Sequence, residues 1–217
     1  MQERYKNTIK AKHFRNIILE HINNNIKSYI ILILFFMVGI ILGVIFINNT
    51  SLNQKQIISE YINGIINSLK NNYMTDDFSL LKMSIVDKLK ITAIIWISGS
   101  TIIGIPLIYG IITYKGFCIG YTTASVIGVL GVQKGIIFLS TNLLLQNIIA
   151  IPCIIALGIS GINFYKSTIK VKNRDNIKPE IYRHTIFSLI MFIGLTFSSI
   201  IEVYISSNIF KNILNFL

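Results

Sequence analysis

The 217-residue chain has a formal charge of +11, yet only 13% of its residues are charged and 53% are hydrophobic. A soluble domain of this length needs more polar surface, so the composition predicts an integral membrane protein and argues against a soluble enzyme. The basic residues flank apolar runs and do not alternate with aromatic residues, which favours contact with membrane lipids and argues against a nucleic-acid partner.

The N-terminal residues 1–28 are polar and basic, with apolar residues at helical spacing. This pattern predicts a cytoplasmic amphipathic segment, either lying on the membrane surface or serving as a solvated helical lead-in. Residues 29–47 carry no charge and are long enough to cross a bilayer, so they predict a retained transmembrane helix. Gly39 and Gly43 within it form a GxxxG pair, a weak signal for helix association.

Residues 48–90 form a polar region that predicts an extracytoplasmic loop folded as a small helical hairpin. Its two apolar stripes recur at helical spacing and comprise Ile57, Ile58, Tyr61, Ile65, Ile66 and Leu69 in the first helix and Leu80, Leu81, Ile85 and Leu89 in the second. Thr75, Asp76 and Asp77 mark a helix start between them. The stripes must be buried within the hairpin, against the bilayer or on a partner.

The apolar stretch 91–131 carries a single charge, Lys115, and predicts two membrane helices, 91–114 and 116–131, joined by a short turn at Lys115 and Gly116. Gly104 and Pro106 lie in the first, where a proline would free a carbonyl for neighbouring helices to satisfy. Small residues at every fourth position predict a close helix-packing face in the second: Gly116, Gly120, Ala124 and Gly128.

The stretch 135–164 is overlong for one perpendicular span and is interrupted by Asn142, Gln146, Asn147 and Pro152. A tilted, proline-kinked helix fits, and so does a short broken segment followed by a span. The membrane polar pair Gln146 and Asn147 predicts interhelical hydrogen bonds. Residues 186–205 form the last span, with Glu202 expected at the interface, before an extracytoplasmic tail at 206–217.

The predicted fold is therefore all-α: a polytopic membrane protein with about five transmembrane helices, four of them within 91–205, and the extracytoplasmic hairpin. With the N-terminus inside, the inner segments hold thirteen Lys and Arg and the outer ones seven. The positive-inside rule then favours an inner N-terminus and an outer C-terminus.

No sequence motif for catalysis, metal binding or cofactor binding is present, so we expect no enzyme activity, metal or cofactor. Cys118 and Cys153 lie in apolar spans without ligand spacing. His13, His21 and His184 fall in basic inner segments, where we expect solvated or lipid-facing side chains. No intramembrane charge marks a transport route, and no nucleophile–base pair is apparent.

One combination of motifs resembles a known family. Trp96, Gly104-Ile105-Pro106, Lys115-Gly116-Phe117, Gly120, Gln146-Asn147 and Ile151-Pro152 occur in the order seen in the stage II sporulation protein M family. The resemblance covers nearly the whole chain: a basic N-terminal segment, one span, an outer loop and four closely spaced spans.

This resemblance implies a non-catalytic scaffold in the cell membrane. It implies two partners, the cell-wall hydrolases known as stage II sporulation proteins D and P, which the scaffold localises to the sporulation septum for peptidoglycan remodelling during engulfment of the forespore. The predicted partner-docking residues lie in the outer hairpin, namely Ile58, Glu60, Tyr61, Ile65, Leu69, Asp77 and Lys82. The alternative is a small multi-pass permease or transporter subunit, which an intramembrane charge or an inverted repeat would favour.

Overall fold

A computed structural model of the chain describes residues 23–70, 77–101, 103–170 and 178–206. These residues form seven α-helices, with no strand among them. The helices are α1 (Ile26–Asn48), α2 (Leu52–Lys70), α3 (Asp77–Gly99), α4 (Gly104–Leu130), α5 (Val132–Leu139), α6 (Leu145–Lys170) and α7 (Lys178–Ile200). Two π-helical segments, Ser140–Leu144 and Ile201–Ser206, join α5 to α6 and continue α7.

The directions of the long helices follow from pairs of contacts. Asn163 of α6 donates to Asn25 at the start of α1, at 2.8 Å, while Gly158 lies one turn away beside Leu32, so α1 and α6 are antiparallel. Ser160 of α6 lies beside the start of α7, and Gln146 lies beside its end, so these two are also antiparallel. We call the end of the bundle that carries α2 the α2 end and the opposite one the His184 end.

The helices α1 and α4 run parallel and cross at glycines from both sides. A Cβ on Gly39 or Gly43 would collide with the backbone of α4, and a Cβ on Gly116 or Gly120 would collide with the backbone of α1. Only glycine lets two helix backbones approach this closely, as in membrane dimers with a GxxxG motif. The close approach brings α1 into the bundle, although much of its surface stays exposed.

The main apolar core lies where α1, α3, α4, α6 and α7 converge. Its fully buried side chains come from all five helices: Leu32, Ile95, Ile108, Ile112, Leu157, Ile159, Ile162 and Leu195. Close packing of α3 on α6 depends on a second pair of glycines, since a Cβ on Gly99 would lie 3.0 Å from the Cα of Gly161. This core fixes the helices around the polar residues described below.

The helix break predicted at Lys115 and Gly116 is wrong. The α4 helix is continuous through both residues, and the break falls instead between Gly99, which ends α3, and Gly104, which begins α4. Pro106 is exposed in the first turn of α4, where its missing N–H costs nothing, so it does not kink a span. Gly116 does not end the helix; its missing side chain instead allows α4 to pack closely on α1.

The predicted boundary between an outer loop ending at Lys90 and a span beginning at residue 91 does not exist as a structural break, because α3 is continuous across it. The sequence left burial of the α2 stripe open between the hairpin, the bilayer and a partner, and the structure shows a fourth surface for part of α2, the bundle itself. Ile62 and Ile66 of α2 are buried against Val126 of α4 and Leu139 of α5. The α5 helix offers an apolar surface that the hairpin interpretation did not consider.

The overlong stretch 135–164 remains helical throughout. The α5 helix passes through the π-helical segment Ser140–Leu144 directly into α6, and Pro152 lies inside α6. The arrangement is closer to one long interrupted helix than to a broken segment followed by a separate span. A π-helical segment adds a residue to a turn and so rotates the side chains that follow it, which here include Gln146 and Asn147.

Within the described residues, three helices are long and apolar enough to cross a membrane: Ile26–Asn48, Leu145–Thr168 and Lys178–Tyr204. The predicted count of about five spans is not confirmed. The helices α3 and α4 lie in the same bundle but are less apolar, since α3 carries Lys88 and Lys90 and α4 carries Lys115.

Candidate functional site

A polar cavity of about 260 Å³ lies among α3, α4, α6 and the end of α7. Its polar lining comes from elements far apart in the sequence, namely Ser84, Asp87, Lys88, Lys115, Cys118, Thr122, Gln146, Asn147 and Glu202. No sequence motif joins these residues. The bundle brings two ammonium groups, two carboxylates and two amides to one cavity.

Glu202 is the centre of the hydrogen-bond network. Its Oε2 accepts from the Ser84 hydroxyl at 2.7 Å and lies 3.5 Å from the Lys88 ammonium. With its amide nitrogen turned towards the carboxylate, Gln146 donates to Oε1 at 3.0 Å and to Oε2 at 2.6 Å. Because the opposite orientation would place two oxygens face to face, this orientation is the one the carboxylate requires.

Three serines connect the same helices beside the network. Ser84 of α3 is 2.9 Å from the hydroxyl of Ser199 in α7, and Ser198 donates to the backbone oxygen of Gln146 at 2.9 Å. The small serines let α7 pack closely while still satisfying polar groups. Together these bonds tie α3, α6 and α7 to one another at the α2 end of the bundle.

Lys115 lines the same cavity from α4. Its side chain is half-buried, and it has no hydrogen-bond or ion-pair partner among the described residues. Lys88 by contrast is only 12% exposed and pairs with Glu202. The two lysines therefore have different electrostatic roles.

The position of the cavity along the membrane-length helix α1 follows from the packing of α4 on α1. Gly116, next to Lys115, contacts the backbone of Phe36 and Ile40, and Gly120 contacts Ile40. These residues lie in the middle of the uncharged run 29–47. If α1 crosses the bilayer over this run, the backbone of Lys115 lies near the middle of the membrane, where a charge is costly and marks a functional site by default.

The sequence interpretation of these charges was therefore incomplete. The sequence predicts a loop position for Lys115, an interfacial position for Glu202 and no intramembrane charge. The structure brings both to one cavity, because α4 continues through Lys115 and the end of α7 packs on α3. One signal was available: Ser84 and Lys88 are four residues apart and so share a helix face.

The predicted polar pair divides into two roles. Gln146 makes interhelical bonds, donating to Glu202 and accepting from Ser198 at its backbone oxygen. Asn147 instead donates at 2.8 Å to the carbonyl of Leu143, in the π-helical segment just before α6, and it also lines the cavity.

Only some of the predicted packing residues contact another helix. Gly116 and Gly120 lie against α1, and Gly104 lies against the carbonyl of Ser98 at the start of α4. Gly128 is exposed, and a Cβ there would meet no described atom within 4 Å, so it does not pack on another helix of the described residues. Ala124 is half-buried.

The predicted docking residues lie on both sides of α2 and at the start of α3. Ile58 packs in the cluster beneath α2, whereas Tyr61 is 70% exposed and Ile65 is 37% exposed. The side chain of Leu69 lies outside the described residues. Three charged positions complete the set: Glu60 is exposed and accepts from Gln56, Lys82 is exposed, and Asp77 is half-buried in the first turn of α3.

A second polar pocket of about 450 Å³ lies at the His184 end. His184 forms its wall and is 3% exposed, so the expectation of a solvated or lipid-facing histidine is wrong. Its Nδ1 lies 2.8 Å from the Ser160 hydroxyl, and its ring stacks on Phe164 with 5.0 Å between centroids. A serine–histidine contact therefore exists, which sequence spacing did not reveal, within a closely packed aromatic environment.

Neither pocket has the ligand set of a metal centre. Among the described residues, no three His, Cys, Asp or Glu side chains lie close enough together to hold a metal ion. The two carboxylates of the cavity between α3, α4 and α6 are paired with Lys88 and Lys90, which leaves the Lys115 ammonium and hydrogen-bond donors available to an anionic group.

Comparison with known protein families identifies a match over most of the chain. The family described as stage II sporulation protein M matches residues 32–207, which include all of the cavity and both glycine pairs. Neither the curated proteins nor the solved structures include a match to the chain. Because the family match covers most of the chain, the protein belongs to the stage II sporulation protein M family, a sporulation-related family of membrane proteins.

Proposed function

We propose that the protein is a non-catalytic membrane scaffold that localises peptidoglycan hydrolases to the septum during sporulation engulfment. Its partners are the cell-wall hydrolases called stage II sporulation proteins D and P. The observation that carries the proposal is the family match over residues 32–207. The protein acts in the cell membrane, at the septum and then in the mother-cell membrane around the forespore.

The α2 helix supports a docking role at the outer surface. One face is fixed on the bundle through Ile62 and Ile66, while the other exposes Tyr61 and Glu60. An exposed tyrosine beside charged residues is the composition of a protein interface, where aromatic anchors supply most of the binding energy. Because α2 packs on α4 and α5, such a surface would be held rigidly above the membrane helices.

The positive-inside orientation places α2 on the side where peptidoglycan lies. The hydrolases act on peptidoglycan, so a docking surface for them must face the same side. The α2 surface is formed by a helix of 19 residues, long enough to present several turns to a partner.

The test is recovery of the hydrolases with the tagged chain from sporulating cells. We expect both hydrolases to co-purify with the wild-type chain. A triple variant, Glu60→Lys with Tyr61→Ala and Lys82→Glu, should lower their recovery at least severalfold while leaving the protein level unchanged. Asp77 is left intact in this variant because its carboxylate stabilises the first turn of α3.

The matched control changes exposed charges at the other end of the bundle. Lys166→Glu combined with Lys178→Glu alters two exposed lysines of α6 and α7 and should leave recovery unaffected. Full recovery with the α2 variant would move the docking surface to the membrane helices. Failure to recover either hydrolase with the wild-type chain would remove the scaffold proposal itself.

The polar cavity favours a second candidate, a small permease or transporter subunit. Lys88, Lys115 and Glu202 supply the charges within the bundle that the sequence interpretation lacked. The same co-purification separates the two candidates, because a transporter subunit would recover an ATPase or other membrane subunits in place of the hydrolases. We favour the scaffold because of the family match.

A further inference from the structure

The cavity is lined by two lysines and two carboxylates, but only one of the two lysines forms a direct ion pair with a carboxylate. The carboxylate of Glu202 already has three donors, Ser84, Gln146 and Lys88. The second carboxylate, Asp87, forms an exposed ion pair with Lys90 at 3.0 Å. Both acids in the lining therefore make their direct contacts with groups other than Lys115, which they attract only from beyond ion-pair distance.

Lys115 is the charge that remains. Its ammonium faces the cavity without a hydrogen-bond or ion-pair partner in the part of the chain that the structure describes. An ammonium removed from water costs several kcal/mol unless a counter-charge compensates it. The group in this cavity without a direct hydrogen-bond or ion-pair contact is therefore a cation, and its complementary ligand is an anion.

The neighbours of Lys115 narrow the chemistry of that anion. Donors come from α4, through the Thr122 hydroxyl and the Lys115 ammonium, and from α6, through the amide proton of Asn147 that is not donated to Leu143. A carboxylate presents two acceptor oxygens and a single negative charge, which matches one ammonium. A phosphate dianion carries a second negative charge, which a single ammonium does not match.

The dimensions of the cavity fit a small organic molecule. A volume of about 260 Å³ lies just below the usual range for drug-sized ligands and exceeds what a halide ion fills. Ile91, Ile119 and Leu143 line the rest of the wall and provide an apolar surface for a short carbon chain. The lining therefore combines one anion-binding end with one apolar end.

From this geometry we infer that the cavity among α3, α4 and α6 is a binding site for a small organic carboxylate, with Lys115 as its counter-charge and Thr122 and Asn147 as hydrogen-bond donors. The Lys88–Glu202 pair holds the opposite wall. The site does not depend on the proposed scaffold role, since it is built from different residues and lies inside the bundle.

The first test uses three probes that differ in one property. The purified full chain in nanodiscs of zwitterionic lipid is heated with sodium propionate, with neutral propionamide, or with sodium chloride at matched ionic strength. Propionate at about a hundredfold excess over its Kd should raise the unfolding midpoint by about 5–10 °C. Propionamide and chloride should not, since one lacks charge and the other lacks a carbon chain.

Two lysine variants test whether the rise in unfolding midpoint with propionate depends on Lys115. Lys115→Gln should remove the propionate response, while Lys134→Gln, which changes an exposed lysine of α5, should retain it. An equal response to propionate and propionamide would overturn the site, and so would a propionate response that survives in Lys115→Gln. Absence of any response in the wild-type chain would also overturn it.

A native thiol gives a second readout that needs no lysine variant. Cys118 lines the cavity one turn from Lys115, and Cys153 can be replaced by serine to leave Cys118 as the reporter. A negatively charged methanethiosulfonate should modify Cys118 at least about tenfold faster than a positively charged one of similar size, by attraction to Lys115. Propionate should slow this reaction and propionamide should not; equal rates with and without propionate would exclude occupancy beside Cys118.

Discussion

Gly116 of α4 lies directly against the backbone oxygen of Phe36 in α1, so closely that even a methyl group on Gly116 would collide with it. This contact holds two helices together and also fixes their register. Because Phe36 is central in the uncharged run of α1, the contact places the backbone of Lys115 near the middle of that run.

The glycine contact predicts a sharp difference between two substitutions in the same helix. Gly116→Ala should destabilise the bundle by about 1–3 kcal/mol, because the two backbones must separate to admit the methyl group. Gly110→Ala, where no described atom lies within 4 Å of the new Cβ, should be neutral or stabilising by up to about 1 kcal/mol through helix propensity. Unfolding of both variants in mild detergent measures the difference, and similar effects at the two positions would contradict the crossing.

The network at Glu202 predicts energetic coupling between residues of α6 and π-helical segment Ile201–Ser206. Gln146→Met removes a donor to a carboxylate and should cost about 1.5–3 kcal/mol. In combination with Glu202→Gln the costs should not add, leaving a coupling energy of about 0.5–3 kcal/mol. A double-mutant cycle of unfolding free energies tests this, and additive losses would mean that the amide and the carboxylate do not interact.

The contact between Ser160 and His184 predicts a structural effect without a functional one. Ser160→Ala leaves a buried ring nitrogen without its partner and should cost about 1–3 kcal/mol of stability. Because we propose that the protein is not an enzyme, sporulating cells with this variant should still recruit the hydrolases and complete engulfment at wild-type rates. Loss of engulfment at a normal protein level would instead indicate chemistry at Ser160.

The orientation predicts which end of the bundle is accessible from outside the cell. In a background without Cys118 and Cys153, Asn53→Cys in α2 should react with an impermeant thiol reagent on intact cells. Lys178→Cys at the start of α7 should react only after the cells are permeabilised. Both positions are exposed, so a difference reports sidedness, and the reverse pattern would overturn the inner N-terminus.

Several local features followed from the sequence because they depend on near neighbours. The uncharged run 29–47 lies within a membrane-length helix, since length and apolarity alone decide that property. The spacing of four residues placed Gly116 and Gly120 on one face of α4. The polarity of Gln146 within an apolar stretch predicted that its amide needs a partner. The same spacing could not distinguish Gly120, which meets α1, from Gly128, which meets no described atom.

The sequence by itself determined the membrane class, the all-helical fold and the family, because composition, apolar length and ordered motifs are properties of the chain. Only the tertiary structure decided where α3 ends and α4 begins, which surface covers α2 and which charges meet. Ser84 and Glu202 are separated by 118 positions, yet their side chains are 2.7 Å apart. Such a pair depends on how α3 and α7 pack through the shared core, and helical periodicity carries no information about that distance.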